Sequence, residues 1–459
     1  MATFAGEKKR VVGLGGGFGG AFAAQALQKK GQGDVEVVLI DRNNFLTFYP
    51  LLVEAGVGAI EPRHIVVPLR KFVRGDSYLM AEVRDVDLRD KTVTYQVSGS
   101  DEVRRMRYDH LVIGLGSVTK IPPIPGLKEY GFEMKSLNDA IEHRDRGIRM
   151  LELANTLTDP LERKRLLTFV VVGGGYTGVE LAGEYQAFLR EAAKEYPNVE
   201  AADIRMLLLE YGPTIIATMS EKLRQWAHRT LEERGVEVRT SDTITEVHED
   251  GCVLKDGSFV PTKTVYWTAG IAPSPLLKEI EGLPVNEKGY IDCDRDLSVK
   301  GFSDVWAIGD AATVFTADGK PYAATAQNAS RQGPLVAQNI LARIRGGATK
   351  TFDFKPLGAF AAIGHRQAAA EVKGLNFTGF IGWVLFRGAY LTKMPTLAMK
   401  ARLSMDWLLE LIFRSPIVQM GVHRRKVAPV ASPGSESLET APNLEEEPEI
   451  VVSGKSSPN

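Results

Sequence analysis

Hydrophobic and polar positions near the start of the chain follow a strand, a helix and a second strand. Residues 10–16 are a short apolar run that meets a glycine cluster, and residues 20–31 have the Ala, Gln, Leu and Lys content of a helix that Gly31 closes. The apolar run 35–40 then ends at Asp41. A β-α-β unit of about thirty residues joins parallel strands, so this pattern predicts a parallel sheet covered by helices.

The same plan returns in the middle of the chain. Residues 167–175 are an apolar run that meets a second glycine cluster, and the strand 204–209 ends at Glu210. Two copies of one unit indicate an internal duplication and predict an α/β fold with two Rossmann-like dinucleotide-binding domains. Further strand-rich stretches occupy 83–97, 111–117, 236–253, 265–269 and 357–373.

The first glycine cluster has the spacing that phosphate binding requires. Gly15 permits the tight turn, Gly17 lets backbone N–H groups approach a pyrophosphate, and Gly20 lets helix and strand pack closely. Asp41 follows Gly20 by twenty-one residues, at a strand end where a carboxylate can accept hydrogen bonds from ribose hydroxyls. The alternative is a glycine-rich turn that binds nothing. The residues predicted to hold this nucleotide are Gly15, Gly17, Phe18, Gly19, Gly20 and Asp41.

The second cluster repeats that spacing with Gly173, Gly175 and Gly178, after the apolar run 169–172. Its candidate ribose acid, Glu210, follows thirty-two residues after Gly178, because the helix between them is longer. A carboxylate at this position favours NADH, since it repels the 2′-phosphate of NADPH. The alternative is that Glu210 only solvates the end of a strand.

The composition of the chain argues against several classes of partner and of site. The 56 Lys and Arg residues nearly balance the 57 Asp and Glu residues, so no global field attracts nucleic acid. The two cysteines, Cys252 and Cys293, form no CxxC pair, which predicts a reducing compartment and no disulfide relay. The histidines lack metal-ligand spacing, so we expect no metal site. We also expect no secretory leader and no membrane span, because neither an apolar signal core nor a run of about 18 apolar residues is present.

Three further segments carry a resemblance to known flavoproteins. Residues 302–310 are a short strand that ends in Gly309-Asp310, and they resemble the second FAD signature of the glutathione-reductase-like flavoproteins. Residues 108–117, and residues 264–270 with Gly270 at their end, resemble that superfamily's two domain-crossover strands. The resemblance implies that Asp310 binds the ribityl chain of FAD, that FAD occupies the first glycine site, and that NADH occupies the second.

A narrower resemblance covers residues 10 to about 420. Residues 48–55, 61–70, 176–180 and 324–327 together are similar to the type II, non-proton-pumping NADH dehydrogenases. The cofactors that this resemblance implies are FAD and NADH, bound without cysteine chemistry, and the electron acceptor that it implies is a quinone.

The same resemblance implies roles for single residues. Ala326 and Gln327 would border the flavin and the quinone, and Glu180 would lie near the nicotinamide and quinone with a role in proton supply. Val83 would offer backbone contacts to adenine, and Lys393 would pair with Glu180. The family's further Gln or His shortly after Gln327 is replaced here by residues 328–330. Alternatively, Gln327 is an ordinary helix N-terminal residue and Glu180 a structural carboxylate.

The last part of the pattern is a short apolar run over 379–391 and a helix after Pro395. In that helix Met399, Leu403, Trp407 and Leu411 recur at four-residue spacing, with Lys393, Lys400, Arg402 and Arg414 beside them. An apolar stripe with an edge Trp and basic neighbours is typical of a helix that lies in a membrane interface. The alternative is that the stripe packs on the protein's own core or on a dimer partner.

Together with these patterns, the resemblance implies a peripheral flavoenzyme of a respiratory chain, held on the cytoplasmic face of the cell membrane. It would transfer a hydride from NADH to FAD and two electrons to a membrane quinone, without proton pumping. Its partners would be the quinone, the bilayer surface and, as an open alternative, a second copy of the chain.

Alternatives of another class are an NAD-sensing flavoprotein with slow turnover and a soluble NADH-dependent reductase of another acceptor. The predicted regions are 8–130 and 271–353 for the FAD-binding domain, 131–270 for the NADH-binding domain, 354–426 for a C-terminal membrane-associating helical region and 427–459 for a disordered tail.

Overall fold

The computed structural model describes residues 8–356, 358–413 and 415–421, so the predicted tail over 427–459 lies outside the described residues. The first part of the chain holds the first β-α-β unit and the strands that extend it. Its strands are β1 (Lys9–Leu14), β2 (Val35–Asp41), β3 (Phe45–Thr47), β4 (Val66–Pro68), β5 (Tyr78–Asp87), β6 (Thr92–Val97), β7 (Val103–Arg107), β8 (His110–Ile113) and β9 (Ser117–Thr119). Its helices are α1 (Phe18–Lys30), α2 (Leu52–Gly56), α3 (Leu69–Phe72) and α4 (Leu127–Tyr130).

The middle of the chain holds the second unit, with a longer helix after the glycine turn. Its strands are β10 (Gly131–Glu133), β11 (Thr168–Val172), β12 (Arg205–Glu210), β13 (Val236–Thr240), β14 (Ile244–His248), β15 (Gly251–Leu254), β16 (Phe259–Pro261), β17 (Thr264–Trp267) and β18 (Ile271–Pro273). Its helices are α5 (Leu137–Thr156), α6 (Pro160–Leu166), α7 (Tyr176–Ala192) and α8 (Glu221–Glu233).

The last part of the chain returns to the first sheet and then adds a hairpin and two helices. Its strands are β19 (Ile291–Asp292), β20 (Val305–Ala307), β21 (Ala312–Thr313), β22 (Gly358–Gly364), β23 (Gln367–Val372) and β24 (Leu375–Phe377). Its helices are α9 (Leu276–Glu279), α10 (Ala326–Ile344), α11 (Gly379–Lys393) and α12 (Leu397–Ile412). The strands expected within 357–373 are therefore confirmed as β22 and β23.

A seven-stranded sheet with the order β20-β8-β1-β2-β5-β6-β7 positions the first glycine motif. Its first five strands are parallel, and β6 and β7 add an antiparallel end. β20 comes from a distant part of the chain, after the whole second sheet. Because ligands of parallel sheets bind beyond the carboxyl ends of the strands, β1, β8 and β20 bring three chain segments to one place.

A five-stranded parallel sheet with the order β10-β17-β11-β12-β13 positions the second glycine motif. Every residue of its central strand β11 is buried, which explains why that strand is an uninterrupted apolar run in the sequence. The second motif follows β11 as the first follows β1. A small antiparallel sheet of β14, β15 and β16 completes this half.

Close helix packing brings a further segment to the first motif. Helix α10 lies against α1, and Gly333 permits the approach, because a Cβ at that position would lie 2.5 Å from the carbonyl oxygen of Gly19. The N-terminal end of α10 is thereby held beside the first glycine turn. The C-terminal part of the chain packs on the second unit, because α7 contacts β22 and α11 contacts β23.

The stripe predicted to lie in a membrane interface faces the protein instead. Met399, Leu403 and Trp407 are buried, and only Leu411 of the four is exposed. The indole nitrogen of Trp407 donates a hydrogen bond of 2.9 Å to the carboxylate of Glu54 in α2. The prediction of a lipid-facing stripe was wrong, because four-residue spacing identifies a buried face without showing whether protein or lipid covers it.

A different face of the two C-terminal helices is apolar and exposed. We call it the outer apolar face. It consists of Phe380, Ile381 and Val384 of α11, Leu397, Met405, Leu408, Leu409, Leu411 and Ile412 of α12, and Phe413 after it. Within the described ranges, no helix combines the length and the hydropathy that crossing a membrane requires.

Candidate active site

The first glycine turn has a separate structural reason for each glycine. Gly15 has a φ of +96°, which favours glycine. A Cβ at Gly20 would collide with the carbonyl of Gly15, so this glycine allows α1 to start close to β1. A Cβ at Gly17 would meet open space. Packing therefore does not require Gly17, and the open space beside it is the place where a ligand can approach the N-terminus of α1.

The second turn repeats this arrangement. Gly173 has a φ of +113°, and a Cβ at Gly178 would collide with the carbonyl of Gly173. Gly175 again faces open space at the start of α7. The two turns therefore have the same geometry, with one open glycine each.

The two candidate acids brace the two turns in the same way. Asp41 accepts hydrogen bonds from the N–H of Gly16 (2.5 Å) and from that of Asn43 (2.7 Å). Glu210 accepts hydrogen bonds from the N–H of Gly174 (2.5 Å) and of Gly212 (2.6 Å). Burial raises the pKa of Asp41, and the hydrogen bonds from Asn43 and Gly16 oppose that rise.

A cleft of about 720 Å³ joins the first turn to the start of α7. Its volume lies within the range of ligand-binding pockets, roughly 300–1,000 Å³. The predicted site residues that line it are Gly15, Gly17, Phe18, Gly19, Asp41, Val83, Gly309, Asp310, Ala326 and Glu180. Those that do not line it are Gly20, Gly173, Gly175, Gly178, Glu210, Gly270, Gln327 and Lys393.

Asp310 belongs to a polar chain that crosses the floor of the cleft. Its carboxylate accepts a hydrogen bond of 2.8 Å from the hydroxyl of Ser117, whose oxygen accepts one of 2.9 Å from the ammonium of Lys135. Burial lowers the pKa of Lys135, and the charge of Asp310 opposes that shift. The preceding Gly309 has a φ of +68°, and its N–H donates to the side chain of Gln332 at 2.7 Å.

Sequence reasoning did not assign a role to Ser117, Lys135 or Gln332. Each comes from a different segment, and no spacing in the sequence joins them. Gly270, at the second predicted crossover, has a φ of +82° and accepts a hydrogen bond of 3.2 Å from the N–H of Lys120.

The start of α10 presents a capped helix end to the cleft. The Thr325 hydroxyl accepts a hydrogen bond of 3.3 Å from the N–H of Asn328, and Ala326 lines the cleft. Gln327 donates its amide to the carbonyl of Gly358 at 3.2 Å. Its amide oxygen is buried without a partner among the described residues, and a buried acceptor of this kind is a place for a ligand's donor.

Glu180 lies on the first turns of α7 and contributes a carboxyl group to the cleft. It accepts a hydrogen bond of 3.2 Å from the N–H of Ala362. Burial raises its pKa well above the ordinary value, the hydrogen bond from Ala362 opposes this rise, and the charges of Glu54 and Glu184 add to it. A carboxyl group whose pKa is raised in this way is suited to general acid and base chemistry.

The predicted pairing of Lys393 with Glu180 is absent from the contacts of the described residues. Lys393 is exposed at the end of α11. Burial of part of its chain and the nearby charge of Arg331 lower its pKa. The role of Lys393 stays a prediction from the resemblance.

The two cysteines lie outside the cleft. Both are buried thiols, and burial raises the pKa of Cys252 to about 12 and raises that of Cys293 as well. Neither is a ready nucleophile. In the part of the chain that the structure describes, no group of three or more His, Cys, Asp or Glu residues is arranged to hold a metal ion.

Comparison with known proteins identifies the family of this chain. A sequence model of the pyridine nucleotide-disulphide oxidoreductase family matches residues 9–333. A probable NADH dehydrogenase of Dictyostelium discoideum is 32% identical over 415 residues, which cover 89% of this chain and 90% of that protein. The type II NADH:quinone oxidoreductase Ndh of Mycobacterium tuberculosis is 30% identical over 415 residues, covering 87% of this chain and 88% of its own length.

A solved structure shares the fold. NDH2 from Plasmodium falciparum, in complex with NADH, superimposes with a TM-score of 0.83 at 20% identity and covers 90% of this chain and 100% of its own chain. This likeness establishes the fold, and the sequence matches establish the family. The chain belongs to the pyridine nucleotide-disulphide oxidoreductases, and among them to the type II NADH:quinone oxidoreductases.

Proposed function

We propose that the protein is a flavoenzyme that oxidises NADH and reduces a quinone. One observation carries this conclusion: a single cleft is lined both by the first glycine turn and by Thr177 and Glu180 of the helix that follows the second turn. A ligand held at each turn would therefore extend into a shared space. Transfer of a hydride between two cofactors requires such an arrangement.

The residues at the first turn fit FAD. The open position at Gly17 leaves room for a pyrophosphate at the N-terminus of α1, and the carboxylate of Asp41 lies at the end of β2, where a ribose would lie. Asp310 would hold the ribityl chain, with Ser117 and Lys135 fixing its carboxylate. When bound, FAD supplies an acceptor for the hydride of NADH and a donor of two electrons to the quinone.

The second turn would hold NADH. Gly175 leaves the N-terminus of α7 open to a pyrophosphate, and Glu210 is already oriented by two backbone hydrogen bonds. A carboxylate in that position accepts hydrogen bonds from the 2′-hydroxyl of NADH and repels the phosphate of NADPH. The second site would therefore prefer NADH.

Glu180 and Gln327 would serve the quinone end of the cleft. Burial raises the pKa of Glu180, and the amide oxygen of Gln327 is a buried acceptor beside the cleft-lining residue Ala326. Quinone reduction consumes protons, so a carboxyl group with a raised pKa at this point would serve as a proton donor.

The outer apolar face would attach the enzyme to a membrane surface, on the cytoplasmic side of the cell membrane. Isolated exposed apolar residues are common, but nine such residues on two adjacent helices, with Phe413 just after them, are of the kind that binds a partner or a lipid. A quinone is soluble in lipid, which supports the bilayer as the partner. A second copy of the chain is the alternative occupant.

Steady-state oxidation of NADH with a short-chain quinone analogue tests the proposed function. The purified protein should be yellow and should oxidise NADH in proportion to quinone reduced. A protein that binds flavin and NADH but turns over only a few times per hour would instead support the NAD-sensing alternative. Fast turnover with a water-soluble acceptor but none with quinone would support the soluble reductase.

A further inference from the structure

A row of carboxyl groups lies behind Glu180, on the side away from the cleft. Glu184 stands four residues further along α7, on the same face of the helix and about 6 Å away along its axis. Helix α2 packs against α7 and carries the buried Glu54, which is 4% exposed. The negative charge of Glu54 raises the pKa of both Glu180 and Glu184, so the three groups lie close enough to influence one another electrostatically.

The row continues to the surface through the C-terminal helices. The guanidinium of Arg387 lies 3.5 Å from the carboxylate of Glu54 and 2.8 Å from that of Glu410. The side chain of Glu410 is 24% exposed. Glu410 stands between the exposed residues Leu409 and Leu411, so the row opens beside the outer apolar face.

The charges along the row favour retained protons. The row has four carboxyl groups and few cations: Arg387 pairs with Glu54 and Glu410, and Arg234 interacts with Glu184. Burial raises the pKa of Glu184 to about 8, the charges of Glu54 and Glu410 add to the rise, and Arg387 and the N–H of His365 oppose it. Burial also raises the pKa of Glu54, against the effect of Arg387 and Trp407. Burial with few neighbouring cations disfavours the charged form, which is why the pKa values of Glu54, Glu180 and Glu184 are all raised.

The proposed reaction needs one proton from solvent. Reduction of a quinone to a quinol takes up two electrons and two protons, and the hydride of NADH brings two electrons and one proton. We propose that Glu410, Glu54 and Glu184 relay the second proton from the surface beside the outer apolar face to Glu180. The relay rests on the proposed function, because it delivers the proton that quinone reduction consumes.

Among the described residues, no hydrogen bond joins the carboxyl groups of Glu180, Glu184 and Glu54 directly. The proton therefore crosses between them on intervening water or by rotation of the side chains. Arg387 is a positioning residue in this proposal, since it holds Glu54 and Glu410 on either side of it. The competing explanation is that Glu54, Arg387 and Glu410 only fasten the C-terminal helices to α2.

The test compares two electron acceptors in the FAD-loaded full chain. Ferricyanide takes electrons without protons, whereas a short-chain quinone analogue takes both. In Glu184→Gln, which keeps the shape and removes the titrating group, the ratio of quinone to ferricyanide rates should fall about tenfold or more. The solvent deuterium isotope effect on quinone reduction should rise, and added formate should restore part of the lost rate.

The matched control is Glu191→Gln, a partly exposed glutamate on the same helix that pairs with Lys194. It should leave the ratio, the isotope effect and the formate response unchanged. If Glu184→Gln loses its flavin, Glu410→Gln tests the relay from the surface end of the row. The relay is overturned if both relay variants keep the wild-type ratio and isotope effect. Wild-type protein that reduces ferricyanide but no quinone would instead overturn the proposed function.

Discussion

At the scale of single residues, the acids that end β2 and β12 accept the same pair of backbone hydrogen bonds. Asp41 and Glu210 each accept one hydrogen bond from the second glycine of their turn and one from the residue two positions after themselves. The sequence predicted both acids, because each ends a strand. It did not predict the hydrogen bonds, because these depend on the path of the loop. Each carboxylate is thus oriented before any ligand binds, which reduces the entropic cost of binding.

Glu210→Gln should narrow the preference for NADH over NADPH. The substitution removes the charge that repels a 2′-phosphate, and we expect the difference in binding free energy to shrink by about 1–3 kcal/mol. The ratio of kcat/KM for the two nucleotides measures this change. Glu246→Gln, an exposed glutamate of β14, is the control and should keep the wild-type ratio. Equal use of both nucleotides by the wild type would contradict the assignment of Glu210.

Gly17→Val should give a folded but colourless protein. A side chain there meets open space in the protein itself, and it would occupy the place of the pyrophosphate. Flavin content per chain and circular dichroism together measure the effect. Gly388→Val, in another open position on α11, should remain yellow. Wild-type flavin content in Gly17→Val would remove the first turn from the FAD site.

At the scale of elements, local patterns were predictable and their partners were not. The two β-α-β units follow from glycine spacing and apolar runs, which lie within about thirty residues of sequence. The helix α12 was predicted as well, but the partner of its stripe was not, because Glu54 of α2 binds Trp407 across more than three hundred residues of chain. Lys135 and Gln332 were missed for the same reason, since only the fold brings them to Gly309 and Asp310.

The outer apolar face gives a prediction at this scale. Ile381→Glu combined with Ile412→Glu should weaken co-sedimentation with anionic vesicles, because two large apolar side chains contribute roughly 1.5–3 kcal/mol each when buried. Flavin content should stay at the wild-type level. Leu161→Glu, an equally exposed position on α6, is the control. The face would instead serve self-association if two results were found together. The wild-type protein would sediment as a dimer without binding vesicles, and the double variant would be a monomer.

At the scale of the whole molecule, the C-terminal hairpin and helices connect the two halves of the site. Arg387 and Trp407 of the helices bind Glu54 of α2, and Ala362 of β22 donates its N–H to Glu180 of the second unit. The carboxyl groups gathered there are buried in the folded chain and solvated in the unfolded one. The stability of the protein must therefore depend on pH.

The free energy of unfolding should fall as pH rises from about 5 to 8. Burial raises the pKa of Glu184 from 4.5 to about 8. Its contribution to stability is fully present below the unfolded value and is lost as pH rises through the folded value. Urea denaturation at a series of pH values should show a shallower fall in Glu184→Gln than in the wild type or in Glu191→Gln. Parallel curves for all three would show that Glu184 titrates as an exposed carboxyl does.

The central claim is that one cleft serves NADH and quinone through a bound flavin, and anaerobic stopped-flow mixing tests it most directly. One equivalent of NADH should bleach the flavin absorbance, and one equivalent of a quinone analogue, mixed in second, should restore it. Glu180→Gln should slow the second step far more than the first, because the carboxyl group supplies a proton only to the quinone. The account would be contradicted if NADH did not reduce the flavin in the first step. It would also be contradicted if the quinone analogue did not reoxidise the flavin in the second.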